Sequence, residues 1–547
     1  MSLSYRRILL IYPAFNKTHW GMDYALPMIG KRSIIAPLGL LTIAALTPSE
    51  YDIRLVDLNG QPFDEEDVRW ADMVCFSAMI AQKRSLFELA DRCRAMGKLV
   101  VFGGPFPTTC PDECAPHCDV MVLNEGEMTW RPFLDDLSKG IHKSVYSSGE
   151  KADVSTTPAP RFDLVRTQDY LNIPVQFARG CPFECEFCDI PVMLGRKPRT
   201  KTPRQILAEL DAIFQTGYRG GIMVVDDNFI GKKVEAKALL AEIKTWNKAH
   251  QTPFYYSTQV TVTLAEDEEL LRLMKEANFT GVFVGVETPS LESLKETRKY
   301  QNTRHSLLEA VRTIQTSGLF VFAGFIVGFD HDGNDIFDRQ IEFIRQAAIP
   351  APTFSLLFAL PGTPLRERMR KAGRLRLLED EGGVSWSFTA FDTNIETELP
   401  RRKLLEGYRR LISTVYEPAA YFSRSLEFFR RMPPPESPST RMQGFLRVGW
   451  LVCEMISSGG RSGGTVPAGS SSGELIRDAF RHLSAEYKWE LVKFLWNILW
   501  QCPAQFMSAM IFSFAGIHYH RFSFEDLIPD VERKLRLLPE DPAEKCV

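Results

Sequence analysis

The sequence carries no surplus of charge of either sign: 65 Lys and Arg stand against 68 Asp and Glu, a net charge of -3. Nucleic-acid binders show a clearly basic domain, so no nucleic-acid partner is expected. Long apolar runs are also missing. No stretch reaches the about 20 uninterrupted apolar residues that a spanning helix needs. The nearest, residues 494–518, is interrupted by Asn497, Gln501, Pro503 and Gln505. It reads as a buried or amphipathic helix pair, with a surface that leans on a membrane or an apolar substrate as the alternative. The N-terminus, MSLSYRRILLIYP, has only a few apolar residues before Pro13 and no small-residue cleavage site, so it does not read as a signal peptide. A cytoplasmic, reducing location is therefore expected. There the 11 cysteines, an odd number, point to metal or catalysis rather than to a disulfide framework. The C-terminal remainder, to residue 547, shows no internal repeat.

What is there is an alternation of short apolar strands and amphipathic helices. Residues 1–150 offer candidate strands at Ile8–Tyr12, Ile53–Val56, Met73–Ser77, Leu99–Phe102 and Val120–Leu123, with helical spacing at Leu38–Leu46 and Ser85–Met96. That order predicts a Rossmann-like, doubly wound parallel sheet, with a ligand at the carboxyl ends of its strands. Residues 151–172, with Pro158 and Pro160, read as a linker. Residues 173–365 carry a second series: strands at Val175–Ala178, Ile222–Val225, Phe254–Gln259, Val282–Val286, Phe320–Val327 and Thr353–Phe358. Helices at 203–216, 234–249, 265–276, 304–317 and 335–347 separate them. Six strands with intervening helices predict a partial parallel barrel whose site lies at the carboxyl ends. Residues 366–430 read as a helical extension and 431–547 as a C-terminal helical region, containing a Pro-rich piece at Arg431–Ser439 and a Gly/Ser linker at 457–473. The fold class is thus α/β, followed by a mainly helical C-terminus.

The strongest chemical signal is Gly180-Cys-Pro-Phe-Glu-Cys-Glu-Phe-Cys188, a CxxxCxxC spacing after the first strand of the predicted barrel. Three thiolates this close can hold three irons of a 4Fe–4S cubane, which normally takes four cysteines. The fourth iron then keeps an open position for another ligand. The competing readings are a zinc site or buried free thiols. Zinc calls for a fourth nearby Cys or His, and residues 189–204 contain neither.

The triplet Cys181, Cys185 and Cys188, with the aromatic Phe187 before the last cysteine, resembles the radical S-adenosylmethionine (SAM) superfamily, and the resemblance continues through the barrel region. It implies that the open iron binds the amino and carboxylate groups of SAM, whose reductive cleavage gives a hydrogen-abstracting 5′-deoxyadenosyl radical. It implies cofactor contacts at four further places. Asp226 and Asp227 lie at the end of the second strand, where the methionine ammonium is held, and Glu287 ends the fourth, near ribose and methionine. Gly324 and Gly328, and Pro361 in Leu360-Pro-Gly-Thr-Pro364, fall where the backbone meets adenine. The Gly-Gly-Glu form common on the second strand is replaced here by Asp226-Asp227-Asn228.

A Rossmann-like domain before such a barrel resembles the cobalamin-binding members of the superfamily, many of which are methylases. The resemblance implies a corrinoid at the strand ends bearing Asp57, Asn59, Ser77, Gly103, Gly104 and Glu125. In DLNGQPF, residues 57–63, position 59 is Asn where other cobalamin proteins carry a cobalt-ligating His, so a base-off corrinoid without histidine ligation is implied. The runs Val175–Ile190, Gly195–Pro203, Val224–Gly231 and Tyr416–Tyr421 are similar to a subgroup that includes hopanoid C-2 methylases, over roughly residues 5–430. The expectation is a cobalamin-dependent radical methylase of an unactivated carbon, with an apolar, hopanoid-like substrate by analogy. The alternatives are radical cyclisation, rearrangement or oxidation without methyl transfer, and a non-catalytic electron-transfer or corrinoid-carrier protein.

Three further features stand beside these. Cys110, Cys114 and Cys118, with His117, form a second cysteine series that reads as ordinary loop thiols or as an auxiliary metal site. Cys75 and Cys93 read as core residues. Arg196, Lys197, Arg199, Lys201 and Arg204 form a basic run that could dock an acidic flavodoxin or ferredoxin, or be a solvated loop. Tyr255, Tyr256 and Gln259 on the third barrel strand are candidates to face a small-molecule, lipid-like substrate.

Overall fold

The computed structural model describes residues 5–376, 392–434, 474, 477 and 480–538. The Gly/Ser run 457–473, and residues 435–439 of the Pro-rich piece, lie outside the described residues.

The first unit is a six-stranded parallel sheet in the order Asp52–Asp57, Arg7–Tyr12, Met73–Ser77, Leu99–Gly103, Val120–Val122, Val145–Tyr146. Its inner strands, such as Met73–Ser77 and Leu99–Gly103, are apolar because both faces are covered, while the edge strand Asp52–Asp57 keeps Asp52 and Arg54 exposed. Along Arg7–Tyr12, Ile8 and Leu10 enter one core layer while Leu9 and Ile11 enter the other. Helices Lys83–Ala95 and Gly126–Lys139 cover the two faces. Helix Leu38–Leu46, LGLLTIAAL, is apolar on every side because it is sandwiched: Leu40 and Ala44 face this sheet while Leu41 joins the core of the second unit.

The second unit is an open parallel sheet of seven strands, not six, in the order Pro352–Leu356, Phe320–Val327, Phe279–Glu287, Phe254–Val260, Gly220–Val224, Tyr170–Val175, Ser33–Ile35. The sheet departs from the expected strands in two places. The edge strand Ser33–Ile35 comes from the N-terminal region, where a run this short carries no detectable period; it pairs with Tyr170 and Asn172. The strand expected at Val175–Ala178 is instead Tyr170–Val175, so the end of the expected linker is ordered sheet. Pro174 obscured it. Proline is tolerated there because pairing with the edge strand reaches only Asn172, leaving no ladder bond for its missing N–H.

Along the barrel strands alternate side chains divide strictly. Val282, Val284, Val321, Ala323, Tyr256 and Thr258 are sealed under the helices. Tyr255, Ser257, Gln259, Phe283, Phe322 and Gly324 take the opposite, concave face. Tyr256 donates to Asn247 Oδ1 at 3.1 Å on the outer side, so of the residues singled out on this strand only Tyr255 and Gln259 face the concavity.

Helix Arg401–Val415 runs along the edge strand Pro352–Leu356, from Leu404 beside Gly328 to Tyr408, which donates to Phe354 O at 3.1 Å. Helices Pro418–Arg431, Ala485–Gln501 and Phe506–Arg521 pack together below it, with Phe512 stacked on Phe320 at 4.6 Å between centroids. The buried Arg424 guanidinium serves as a hub, donating to the carbonyls of Ile349, Pro350 and Val415. The 494–518 segment is indeed a helix pair, broken at Cys502–Pro503. Among the described residues no helix is long and apolar enough to cross a membrane.

Between Pro13 and Arg32 the chain leaves the first sheet and crosses to the C-terminal helices. His518 Nε2 donates to Thr18 O at 3.0 Å and its Nδ1 accepts from Tyr24 N at 3.4 Å. Burial drives this imidazole's pKa down to about 4, so it stays neutral and keeps both roles. Tyr24 Oη donates to Asp526 at 2.7 Å. So anchored, the crossing segment lays Trp20 edge-on against Phe283 of the concave face, 4.9 Å between ring centroids.

Candidate active site

The thiol triplet lies on the loop after strand Tyr170–Val175. Gly180 opens it with φ +93, where a Cβ would lie 2.7 Å from Gly195 O; only glycine fits this turn. Asp227 accepts from Gly180 N at 2.9 Å and Asp226 from Phe177 N at 2.7 Å. Asp226 is fully buried, with its second oxygen lacking a partner, and burial pushes its pKa up to about 8. It secures the turn from below and has no open face for a ligand. Asp227 is partly exposed; burial raises it to about 6.

Downstream, Glu186 anchors the loop between Cys185 and Cys188. Its N–H donates to Thr297 O at 2.9 Å, and its carbonyl accepts from Leu365 N at 3.0 Å. Its carboxylate takes a two-pronged pair from Arg368 at 2.9 and 3.0 Å. Arg368 also reaches Glu296 and Asp330. Nothing in the sequence pattern marked Glu186, Arg368 or Glu296, since their link spans 182 residues.

Cys181, Cys185 and Cys188 are free, partly exposed thiols. Burial pushes Cys188 up, and negative charge at Asp189, and then at Cys185 and Cys181, adds to that. Three thiols gathered on one half-buried loop suit a polynuclear cation that draws off their protons. Among the described residues no three His, Cys, Asp or Glu side chains converge as around a single metal ion. A cubane instead spreads three thiolates over three irons. Three cysteines on one loop, with no fourth Cys or His in residues 189–204, suit a cluster with an open iron better than mononuclear zinc. Phe187 packs against Phe329, 6.2 Å between centroids, with Lys299 Nζ 5.8 Å from its ring centroid.

Glu287 ends its strand in a left-handed conformation, φ +65, and forms a buried ion pair with Lys299. For a non-glycine residue such backbone costs free energy, and the ion pair holds it there. Gly324 lies beneath the Phe283 ring; Gly328 N donates to Asp332 Oδ2 at 2.8 Å. Pro361 precedes a turn leading into helix Pro364–Lys371, capped by Thr363.

At the carboxyl edge of the first sheet, Gly104 takes φ +92, and a Cβ there would lie 2.6 Å from Ser77 Oγ and 3.0 Å from Ala78 N. The ends of two neighbouring strands, Ser77 and Gly103, therefore meet without intervening side chains. This makes a backbone-lined shelf that fits a large flat ligand such as a corrinoid. Asp57 and Asn59 are drawn into internal bonding instead. Asp57 accepts from Tyr170 Oη at 3.0 Å and from Asn59 Nδ2 at 2.7 Å. Asn59 also donates to Pro13 O at 3.2 Å and accepts from Phe15 N at 2.9 Å. Asn59 thus ties two strand-end loops together.

Glu125 is likewise engaged in internal pairing. It accepts from Arg179 at 2.9 Å and Arg199 at 2.8 Å, and Glu127 accepts from Arg179 at 2.7 Å. Of the basic run, Arg199 is committed to this cluster and Lys201 is buried against Glu209. Of the five basic residues read as a docking patch or a solvated loop, Arg196, Lys197 and Arg204 remain outside these buried pairs, and Arg196 is paired with Glu184. The second cysteine series is buried beside the first sheet, where His117 stacks on Phe87 at 3.9 Å and bonds Asp91 at 3.0 Å. These are core thiols.

Residues 175–369 match the family model of the radical SAM superfamily, residues 31–132 that of the B12 binding domain, and residues 363–526 that of a domain of unknown function. The chain is 43% identical to an uncharacterized methyltransferase of Synechocystis sp. over 79% of this chain and 80% of that protein. It is 34% identical to the hopanoid C-2 methylase of Rhodopseudomonas palustris over 77% of this chain and 78% of the methylase. Among solved structures, the cobalamin-dependent SAM radical enzyme OxsB, with aqua-cobalamin and SAM bound, superposes with a TM-score of 0.58 at 15% identity. The match covers 99% of this chain and 82% of that one, a likeness of fold.

Proposed function

This chain belongs to the cobalamin-dependent radical SAM methyltransferases, and on that premise we propose that it methylates an unactivated carbon of an apolar, polycyclic substrate of the hopanoid kind. The observation that carries the reading is the Glu125–Arg179 contact. It joins the carboxyl edge of the first sheet, with its backbone shelf, to the loop of thiols two residues before Cys181. That contact supports a reading in which a group on the shelf and a group on the thiols lie on adjoining edges of the two units, as a two-cofactor reaction on one carbon demands.

In this proposal Cys181, Cys185 and Cys188 hold the cluster and leave one iron open to SAM. When bound, cluster and SAM supply hydrogen abstraction, and the cobalamin supplies the methyl group. Asp227 has the open face to receive the methionine ammonium, while Asp226 holds the turn. Glu287 offers a carboxylate fixed by Lys299 on the side of the ribose and methionine, and backbone at Gly324, Gly328 and Pro361 borders the adenine. Ser77, Gly103 and Gly104 carry the corrinoid, and Asp57 and Asn59 hold the adjoining loops.

The substrate class rests on the concave face, where Tyr255, Phe283 and Phe322 line the wall and Trp20 covers it, and on the relative that is a hopanoid methylase. Flat aromatic walls suit a fused-ring hydrocarbon, which needs contact area rather than hydrogen bonds. A lipid substrate also gives a reason for the exposed Trp489 and Ile511 on the last helices, 67% and 65% exposed. They offer a place for peripheral contact with a bilayer, where Trp is favoured. An external low-potential electron carrier supplies reduction.

Anaerobically reconstituted protein, supplied with methyl-labelled SAM, cobalamin, a strong reductant and a hopanoid, is expected to transfer label to the lipid. Cys185→Ala is expected to abolish transfer together with bound iron. Cluster-bearing protein that never retains cobalamin sinks the reading. Labelled methyl found only on a different class of molecule sinks the substrate assignment alone.

A further inference from the structure

Beneath the thiol loop lies a side chain that neither the thiol spacing nor the SAM contacts require. Gln301 occupies the short turn Tyr300–Asn302 and is 4% exposed. Its Nε2 donates to Cys185 Sγ at 3.3 Å, while its buried Oε1 has no partner. Burying an amide with one end unsatisfied is unfavourable, so its position calls for a compensating role.

The turn that aims Gln301 is rigidly held. Asn302 Nδ2 donates to Gly285 O at 2.9 Å and Val286 O at 3.1 Å, backbone atoms of the same barrel strand that ends in Glu287. Two residues before Gln301, the buried Lys299 completes the ion pair with Glu287. Its charge is felt at Cys181, Cys185 and Cys188. A donor and a cation are therefore fixed on one side of the triplet by the strand that carries Glu287.

Reducing a thiolate-bound cluster by one electron adds negative charge spread over its sulfurs. N–H···S hydrogen bonds and a nearby cation favour that added charge and raise the reduction potential. Low polarisability around buried groups strengthens the effect.

We propose that Gln301, aimed by Asn302 and backed by Lys299, is the positioning residue that sets the reduction potential of the cluster on Cys185. It keeps the cluster within reach of a protein donor of the flavodoxin or ferredoxin class. In the step concerned, one electron leaves the reduced donor and enters the oxidised cluster, with no proton or bond exchanged. The inference rests on the assignment of the triplet as cluster ligands.

The test compares reconstituted full-length wild type with Gln301→Leu, which removes the donor at similar volume, Gln301→Glu, which replaces it with negative charge, and Asn302→Ala, which frees the turn. Iron and sulfide per chain establish cluster content, and a redox titration followed by electron paramagnetic resonance gives the midpoint. The expected midpoints fall below wild type in Leu and Asn302→Ala, and fall furthest in Glu. Turnover with flavodoxin relative to turnover with titanium(III) citrate is expected to drop by about tenfold in Gln301→Leu, the scale of one lost hydrogen bond to a charged group.

Unchanged midpoints in loaded variants overturn the proposal and leave the cluster assignment standing. A Leu variant that takes up no cluster, beside a Glu variant with the wild-type midpoint, also overturns it. Wild-type protein that binds no iron and sulfide overturns the cluster assignment instead.

Discussion

Arg179 and Glu125 bind each other across the seam between the two sheets, 2.9 Å from guanidinium to carboxylate, with both side chains almost withdrawn from water. Burial works against ionisation of the neighbouring Glu127, and the Arg179 hydrogen bond overcomes it, holding that carboxyl below its ordinary range. Removing one partner of a buried pair strands the other charge and costs about 3–5 kcal/mol. Arg179→Met is therefore expected to lower the thermal midpoint and the iron content per chain together. Normal iron loading with an unchanged melting temperature would show that the seam does not support the thiol loop.

Arg368 holds Glu186 with two parallel bonds, a geometry that lysine's single ammonium cannot reproduce. Arg368→Lys keeps the charge and loses the fork. Iron should then leave several-fold faster under chelator challenge, while uptake during reconstitution still reaches the wild-type level. Equal rates of loss in the two proteins would remove Arg368 from the loop's support.

Asp226 predicts a pH dependence of stability. Its folded pKa, about 8, lies above the unfolded value of 3.8. Its contribution is therefore fully present below pH 3.8, falls as pH rises through the interval, and is gone above about 8. Asp226→Asn keeps an acceptor for Phe177 N and abolishes the titration. Its stability advantage over wild type should grow between pH 4 and 8 and then level off, as read by chemical denaturation across that range. A constant difference between the two proteins excludes the carboxyl as the titrating group.

Trp20 should act through substrate confinement. An edge-to-face aromatic contact contributes about 0.5–1.5 kcal/mol, so Trp20→Ala is expected to raise KM by several-fold to about tenfold. Because the uncovered site holds its substrate less firmly, more 5′-deoxyadenosine should form per methylated product. A variant with unchanged coupling and KM argues that Trp20 does not face the substrate.

Much of this was legible in the sequence, and the limits have physical causes. Strands such as Met73–Ser77 and Phe320–Val327 emerge from apolar runs alone, because burial on both faces or strict alternation leaves a local trace. Cys181, Cys185 and Cys188 were legible because one loop supplies all three. Glu186 with Arg368, Gln301 with Cys185, and Thr18 with His518 leave no such trace, since each link joins distant segments. The strand at Ser33–Ile35 was hidden by its length. The basic run from Arg196 to Arg204 misled for a related reason: sequence gives the sign of a charge but not whether an acid such as Glu125 or Glu209 waits across the fold.

Thr18 meets a partner made 500 residues later. At roughly 5–20 residues per second of synthesis, the segment bearing Trp20 waits about 25–100 s before helix Phe506–Arg521 exists to anchor it. The growing chain thus passes through a period in which the sheets have been translated while the cover over them has nothing to fasten to.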